Sequence, residues 1–183
     1  LTAYIETTLK NIALLDTALS SFAASTGAGR QYADVIETAR ANNVKFNVSA
    51  AESAKATQAL FEGFIGFTTA GEAAQTSLTE FTSQMGKFGV DGATAVDVLN
   101  FFSTNLGKSF EESEKLTKQL AMMGPRIGIS TGKITKDFQA ALPTLAVYGD
   151  KAIDVFQGIA GAARLAGVET SKMLDLANKF DTF

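Results

Sequence analysis

Three glycine corners recur at equal steps along this chain of 183 residues. They are Gly89, Gly128 and Gly167, and both 128 − 89 and 167 − 128 give 39 residues. Each glycine is followed by an amphipathic run, and further corners at Gly107 and Gly149 divide the intervals. A step on the order of 40 residues is the length of one helix–turn–helix unit, so the spacing predicts stacked helical hairpins. Unrelated helices of about 15 residues joined by short turns give the same step, and the hairpin prediction holds either way.

Apolar residues at steps of three and four predict an all-α fold of about eight or nine helices in helix–turn–helix hairpins. The predicted apolar faces are Ile5, Ile12, Leu15, Leu19 and Phe22; Tyr32, Val35, Ile36 and Ala39; Leu60, Phe61, Phe64 and Ile65; Ala74, Leu78, Phe81, Met85 and Phe88; Ala95, Val98, Leu99 and Phe102; Phe110, Leu116, Leu120 and Met123; Ile134, Phe138, Ala141, Leu142 and Leu145; Ile153, Phe156, Ile159 and Ala163; and Met173, Leu176, Ala177 and Phe180. Residues 44–48 alternate too briefly to predict a strand. We divide the chain into an N-terminal helical segment (1–48), an apolar helical hairpin (49–88) and helical-hairpin repeats (89–183).

Capping signals predict where these helices begin and end. Three pairs at the predicted starts of helices have the Ser/Thr-x-x-Glu spacing of a capping box, in which two side chains satisfy backbone N–H groups of the first turn: Ser49 with Glu52, Thr69 with Glu72, and Ser109 with Glu112. The further predicted N-caps are Ser130 or Thr131, and Asp150. Gly124-Pro125 is expected to end a helix, and Pro143 to kink one or shift its boundary.

Composition removes most catalytic classes. The chain has no Cys, His or Trp and a formal net charge of −3. Without Cys there is no disulfide, thiolate nucleophile or thiolate zinc site, and without His the usual proton shuttle and commonest metal ligand are missing. No basic stripe favours nucleic acid or an anionic membrane. We therefore predict a protein that is not an enzyme, with no catalytic residue, no cofactor-binding residue, no metal site and no cofactor.

Local motifs agree with this prediction. Gly107-Lys108-Ser109 resembles the end of a phosphate-binding loop, but Phe102 stands where the first glycine is required. Gly128 to Lys133 has a spacing one residue short, so both segments are interpreted as helix corners. The carboxylates considered as a glycosidase pair are Glu52, Glu62, Glu111, Glu112 and Glu114. Capping or a solvated helix face accounts for them, and Glu62, which interrupts an apolar run, is expected on the polar side of a helix.

Two apolar segments are candidates for contacts beyond one chain. The stretch from Ala59 to Gly71 is shorter than the roughly 20 apolar residues that span a bilayer, and it contains Glu62. It is therefore predicted to be a core helix or a subunit interface, with membrane insertion through Phe61 to Phe67 as the alternative. The face from Ala74 to Phe88 is a candidate contact between copies, with burial inside one chain as the equal alternative.

The second half of the chain resembles the tail tape-measure proteins of tailed bacteriophages. The resemblance covers roughly Phe88 to Phe183 and rests on six segments: Leu116-Thr117-Lys118-Gln119-Leu120-Ala121, Ile134-Thr135-Lys136-Asp137-Phe138-Gln139-Ala140-Ala141, Leu145-Ala146-Val147-Tyr148-Gly149, Phe156-Gln157-Gly158-Ile159-Ala160, Ala166-Gly167-Val168 and Lys179-Phe180-Asp181-Thr182-Phe183. It implies a structural role in the virion: several copies occupy the tail lumen, set tail length, and leave ahead of the DNA, with possible contact to the host envelope.

The glycine corners also indicate which part of a tape-measure protein this segment would be. A ruler needs length proportional to residue number, as in a continuous helix with a rise of about 1.5 Å per residue. Repeated reversals of the chain direction remove the proportionality between length and residue number. We therefore expect residues 88–183 to form a compact, end-located part that docks to the tail tip, baseplate hub or tail tube, in a homo-oligomer along the tail axis. The chain starts at Leu1 and is expected to be a segment of a longer protein. A generic helical-repeat binding scaffold is the remaining alternative.

Overall fold

A computed structural model describes the backbone of residues 2–180, and the side chains of residues 5–176 and 179 except Thr7. Within that range the fold is all-α without strands, so the predicted fold class is confirmed. The α-helices are α1 (Thr2–Thr26), α2 (Ala33–Asn42), α3 (Ala50–Gly63), α4 (Glu72–Lys87), α5 (Gly92–Asn100), α6 (Phe110–Arg126), α7 (Thr131–Leu145), α8 (Ala152–Ala166) and α9 (Thr170–Phe180). Val44–Phe46 and Ala146–Lys151 form short 3-10 helices, and Phe101–Asn105 forms a π-helical turn.

The chain divides into two compact units, Leu1–Phe88 and Gly89–Phe183. In the first unit α3 packs against α1, α2 and α4, and α2 also packs against α4. Aromatic rings meet edge-on in its core, where Phe22 lies 5.7 Å from Tyr32 and 6.2 Å from Phe61. Phe67 stacks on Tyr32 at 5.5 Å. The predicted segments 1–48 and 49–88 therefore share one core.

The face from Ala74 to Phe88 lies mostly inside this unit. Leu78, Phe81 and Met85 are buried, whereas Phe88 is 56% exposed. The structure therefore shows burial of this face within one chain, because its three central side chains cannot contact another copy. At α1 the predicted stripe is buried only at its C-terminal end, and Ile5 and Ile12 are exposed.

Two helix boundaries of the first unit differ from prediction. Helix α3 ends at Gly63, so Phe64 and Ile65 lie beyond it; Phe64 is buried and Ile65 is 73% exposed. The capping box predicted at Thr69 and Glu72 is absent, because Gly71 is the N-cap of α4. The Thr69 hydroxyl instead donates to the Gly66 carbonyl (3.2 Å) inside a turn. The boxes at Ser49–Glu52 and, in the second unit, Ser109–Glu112 are both confirmed.

The second unit is built from the hairpin α5–α6, the hairpin α7–α8 and the helix α9. Helix α7 contacts α5, α6, α8 and α9, so it carries the centre of the core. Phe138 of α7 is fully buried. Its ring meets Phe156 of α8 edge-on at 5.1 Å and stacks against Phe102 at 5.9 Å.

The glycine corners are left-handed backbone turns, as the sequence pattern predicts. Gly89, Gly128 and Gly167 have φ values of 80°, 75° and 69°. Gly128 and Gly167 share one hydrogen-bonding scheme, in which the residue after the glycine donates to the carbonyl five residues back. Ile129 N–H donates to Gly124 O (2.9 Å) and Val168 N–H donates to Ala163 O (3.0 Å). This is the Schellman motif, and it recurs at the step of 39 residues.

Two further predictions in this unit are wrong. Helix α6 continues through Gly124 and Pro125 to Arg126, and the left-handed cap is Gly128. Pro125 lies in the last turn of α6, where its lack of an N–H removes one bond of the helix without ending it. Gly124 allows a close approach to α7, because a Cβ there would lie 2.7 Å from Ile134 Cγ2. Asp150 does not cap α8, because the carboxylate of Asp150 pairs with Lys108. The N-cap of α8 is Lys151.

The remaining boundaries follow the prediction more closely. Ser130, not Thr131, caps α7. Helix α7 runs through Pro143 and ends at Leu145, where the 3-10 segment begins, so the proline lies next to a boundary. On α9 Thr170 and Leu174 are buried, and Leu176 of the predicted face is 50% exposed. Ala177 and Phe180 have side chains outside the described residues.

Candidate functional site

One concave surface of the second unit is a groove of about 470 Å³. Helices α6 and α8, the π-helical turn and the 3-10 segment position its walls. We call it the Lys108 groove; its lining residues are Phe102, Leu106, Lys108, Glu112, Lys115, Leu116, Gln119, Gly149, Asp150, Ala152 and Ile153. Its floor is apolar and its rim is charged, which suits an apolar group flanked by polar ones.

A π-helical turn contributes to the apolar floor. Leu106 N–H donates to Phe101 O (3.2 Å) and Lys108 N–H donates to Phe102 O (3.0 Å), so the last turn after α5 is wider than an α-turn. The consecutive side chains of Phe101 and Phe102 at the start of this turn are both buried, and Phe102 lines the groove. Wide turns of this kind are frequent at functional sites.

One ion pair crosses the rim of the groove. Lys108 Nζ lies 2.8 Å from Asp150 Oδ1, which joins the start of α6 to the segment before α8. The hydrogen bond to Asp150 raises the pKa of Lys108. Glu112 faces the same rim, and the hydrogen bond from the Ser109 backbone N–H lowers the pKa of its carboxyl. Lys108 and Glu112 therefore both stay charged at neutral pH, so they give the rim fixed charges and neither is poised to transfer a proton.

The corners of the second unit approach other backbone and side-chain groups closely. A Cβ built on Gly132, in the first turn of α7, would lie 2.2 Å from the Gly89 carbonyl oxygen. A Cβ on Gly128 would lie 3.2 Å from an Arg164 guanidinium nitrogen. The start of α7 thus packs on the corner at Gly89, and the end of α8 packs on the corner at Gly128. A smaller hollow of about 250 Å³ adjoins the second and third corners, lined by Ile129, Lys133, Arg164, Gly167, Val168, Glu169 and Thr170.

The acidic residues considered in the sequence do not converge. Glu52 caps α3 and accepts a bond from Lys87 (2.6 Å); partial burial raises the pKa of its carboxyl, but the bonds from Lys87 and Ser49 outweigh burial and lower it. Glu62 is exposed and accepts from Gln58 (2.8 Å), which confirms its place on the polar side of the helix. Glu111, Glu112 and Glu114 lie on α6 in the other unit. Among the residues that the structure describes, no group of three His, Cys, Asp or Glu side chains is placed to hold a metal ion.

The apolar stretch from Ala59 to Gly71 is part of the first unit's core. Leu60, Phe64 and Phe67 are buried there, and the Phe67 carbonyl accepts from Gln75 Nε2 (2.8 Å). None of the helices in the described part of the chain is long and apolar enough to cross a membrane.

Sequence reasoning did not find the Lys108 groove. It considered Lys108 only as a phosphate-loop lysine, and its partner Asp150 only as a cap. No local signal reports their pairing, because it depends on how the two hairpins fold together. Comparison with protein-family models, with curated proteins and with solved structures finds no match for this chain.

Proposed function

We propose that this chain is a non-enzymatic structural component of a bacteriophage tail, and that the unit Gly89–Phe183 docks at the tail tip or baseplate. The resemblance of residues 88–183 to tape-measure proteins suggests the tail. The observation that carries the docking role is the pair of identical Schellman corners at Gly128 and Gly167, which reverse the chain at a fixed step.

Helix lengths support an end-located part over a ruler. The longest helix of this unit, α6, has 17 residues and a length of about 25 Å at 1.5 Å per residue. The 183 − 88 = 95 residues of the unit would span roughly 140 Å as one straight helix. Folding into hairpins instead gives a compact body with a concave surface. In this proposal an apolar side chain of the tail-tip or baseplate protein enters the Lys108 groove.

An in-frame deletion of residues 128–166 tests the proposal, because it removes one step, from the second corner to the end of α8. We expect tails that fail to assemble or to infect, with the length of any assembled tails unchanged. Infectious tails shortened by about 39 × 1.5 Å, or roughly 58 Å, would instead identify this region as ruler. Flanking genes for tail tube and baseplate would separate the tail proposal from a generic helical-repeat scaffold.

The membrane alternative rests on one exposed side chain. Ile65 is 73% exposed, but its neighbours Phe64 and Phe67 are buried, so insertion of the whole segment would require the first unit to open. Release of dye from liposomes by the full chain, abolished by Ile65→Asp, would favour this alternative. Release that is absent, or unchanged by Ile65→Asp, would exclude Ile65 as an insertion point.

A further inference from the structure

The contact between α3 and α4 contains buried hydroxyl groups. Five Ser and Thr side chains on these two helices are buried, and we call them the hydroxyl seam: Ser53, Thr57, Thr79, Thr82 and Ser83. Most of the other buried side chains of the first unit are apolar. A hydroxyl buried in such surroundings is costly unless it forms a hydrogen bond.

Two hydroxyls of the seam are left unpaired. Ser53 is 0% exposed and Thr82 is 2% exposed, and neither side-chain oxygen has a hydrogen-bond partner among the residues that the structure describes. Their neighbours are bonded within the helices: Thr57 donates to Ser53 O (2.9 Å) and Ser83 donates to Thr79 O (2.7 Å). An unpaired buried hydroxyl carries its full desolvation penalty, and such groups are uncommon in folded proteins.

Two contacts fix how α3 and α4 lie against each other. Thr57 Oγ1 lies 3.4 Å from Thr79 Oγ1, and Lys87 Nζ lies 2.6 Å from Glu52 Oε1. The residue nearer the start of α3 thus pairs with the residue nearer the end of α4, so the two helices are antiparallel. A step back along α3 therefore corresponds to a step forward along α4.

This register brings the two unpaired hydroxyls to the same level. Ser53 precedes Thr57 by four residues and Thr82 follows Thr79 by three, and side chains at these steps share one face of a helix. Both side chains therefore lie on the facing sides of the helices, about one turn beyond the contact between Thr57 and Thr79. Ser83, four residues after Thr79, faces Ser53 in the same register.

We propose that one buried water molecule lies between α3 and α4 and joins the hydroxyls of Ser53 and Thr82. The proposal goes beyond the tail assignment and does not rest on it, because it uses only this pair of helices. Ser83 is the third partner, since its oxygen donates to Thr79 O and can still accept a hydrogen bond. Three hydrogen bonds are typical of a buried water.

Enclosure selects water over a larger ligand. Because Ser53 and Thr82 are almost fully shielded from solvent, a larger molecule could reach them only if the two helices separated. The side chains at this level are small, and Ala54 is the buried neighbour of Ser53, which leaves room for a single water.

A crystal structure of the full chain that resolves ordered water tests the proposal directly. We expect a water oxygen about 2.5–3.0 Å from both Ser53 Oγ and Thr82 Oγ1. The alternative is that each hydroxyl turns to the carbonyl four residues back in its own helix, Ser49 O or Leu78 O. Hydroxyls bonded in that way, or a water that contacts only one of them, would overturn the proposal.

Thr82→Val tests the same site in solution, because valine has nearly the shape of threonine and lacks the hydroxyl. Removing one partner of a buried water should raise the equilibrium constant for unfolding of the first unit roughly fivefold. Hydrogen exchange of the slowest amides of α3 and α4 in the full chain measures this constant.

Thr17→Val on α1 is the matched control for this substitution. Thr17 is exposed, so the unfolding constant should change by about twofold or less. A Thr82→Val protein as stable as the wild type, or more stable, would overturn the proposal, since the loss of an unpaired buried hydroxyl has no cost.

Adding Ser53→Ala tests whether one water joins both side chains. If it does, Ser53→Ala should change the unfolding constant by a smaller factor in the Thr82→Val background than in the wild type, because the water has already lost one bond. The helix propensity of alanine is the same in both backgrounds and cancels from the comparison. Equal factors in the two backgrounds would mean that the two hydroxyls act separately, which excludes a shared water.

Discussion

Replacing Gly132 by alanine should destabilise the second unit even though alanine is the better helix former. Gly132 lies in the first turn of α7, and its added Cβ would meet the Gly89 carbonyl oxygen at 2.2 Å. Ordinary contacts of this kind are about 1 Å longer, and the obstacle is backbone, so the start of α7 must move away from the first corner. Overpacking of this kind typically costs about 1–3 kcal/mol, offset by roughly 0.5–1 kcal/mol from removing a helical glycine.

The net expectation is a loss of roughly 1–2 kcal/mol, or about 4–16 °C in Tm for a unit of this size. Gly158→Ala is the matched control, because Gly158 is also helical, in α8, and its Cβ would meet nothing within 4 Å. It should stabilise by about 0.5–1 kcal/mol. Circular dichroism gives the Tm, and hydrogen exchange of residues 89–183 locates the effect. A Gly132→Ala protein as stable as Gly158→Ala would refute the close packing of α7 on the Gly89 corner.

Two other substitutions test the core and a cap. Phe138→Ala should lower the free energy of unfolding, measured with urea, by about 3–5 kcal/mol, because the Phe138 ring is fully buried between Phe102 and Phe156. Ile65→Ala, at an exposed site, is the control and should stay within about 0.5 kcal/mol of the wild type. Similar losses in the two variants would contradict the assignment of Phe138 to the core. Asp91→Ala should cost about 1 kcal/mol at pH 7, since Asp91 accepts from Thr94 N–H at 2.9 Å and caps α5. That bond lowers the pKa of Asp91 below its unfolded value, so the stabilisation is present above the unfolded pKa and is lost as the pH falls through the folded one. The difference between Asp91→Ala and wild type should therefore shrink below about pH 4, and a difference that persists at pH 2 would refute this origin.

Local signals predicted most of the fold because the structures they specify are local. The capping boxes at Ser49 and Ser109 formed because each needs only four residues. The same spacing at Thr69 failed because Thr69 lies in a separate turn, where its hydroxyl donates to Gly66 O, and the helix begins only at Glu72 with Gly71 as its N-cap. The glycine corners were predictable for a related reason: a left-handed residue after a helical run favours glycine whatever packs around it.

Features that depend on several elements could not be predicted. The π-helical turn at Phe101–Asn105 leaves no composition signal, and the Lys108–Asp150 pair depends on the meeting of two hairpins. The periodicity of α1 also gave no warning that Ile5 and Ile12 would be exposed, since exposure depends on the length of α3. The spacing of apolar residues thus located the apolar face of each helix, but it did not show which element covers that face.

The central claim, reversal of the chain at glycine corners with a step of 39 residues, is tested most directly by distances between equivalent positions. Asp97 on α5, Lys136 on α7 and Asp175 on α9 are exposed and successively 39 residues apart. Helix α7 contacts both α5 and α9, and neighbouring helices lie about 8–10 Å apart. Cysteine substitutions labelled in pairs at 97 and 136, and at 136 and 175, should each give spin–spin distances under roughly 25 Å once the label arms are included. A distance near 39 × 1.5 Å, or about 58 Å, for either pair would mean an unbroken helix and would contradict the hairpin account.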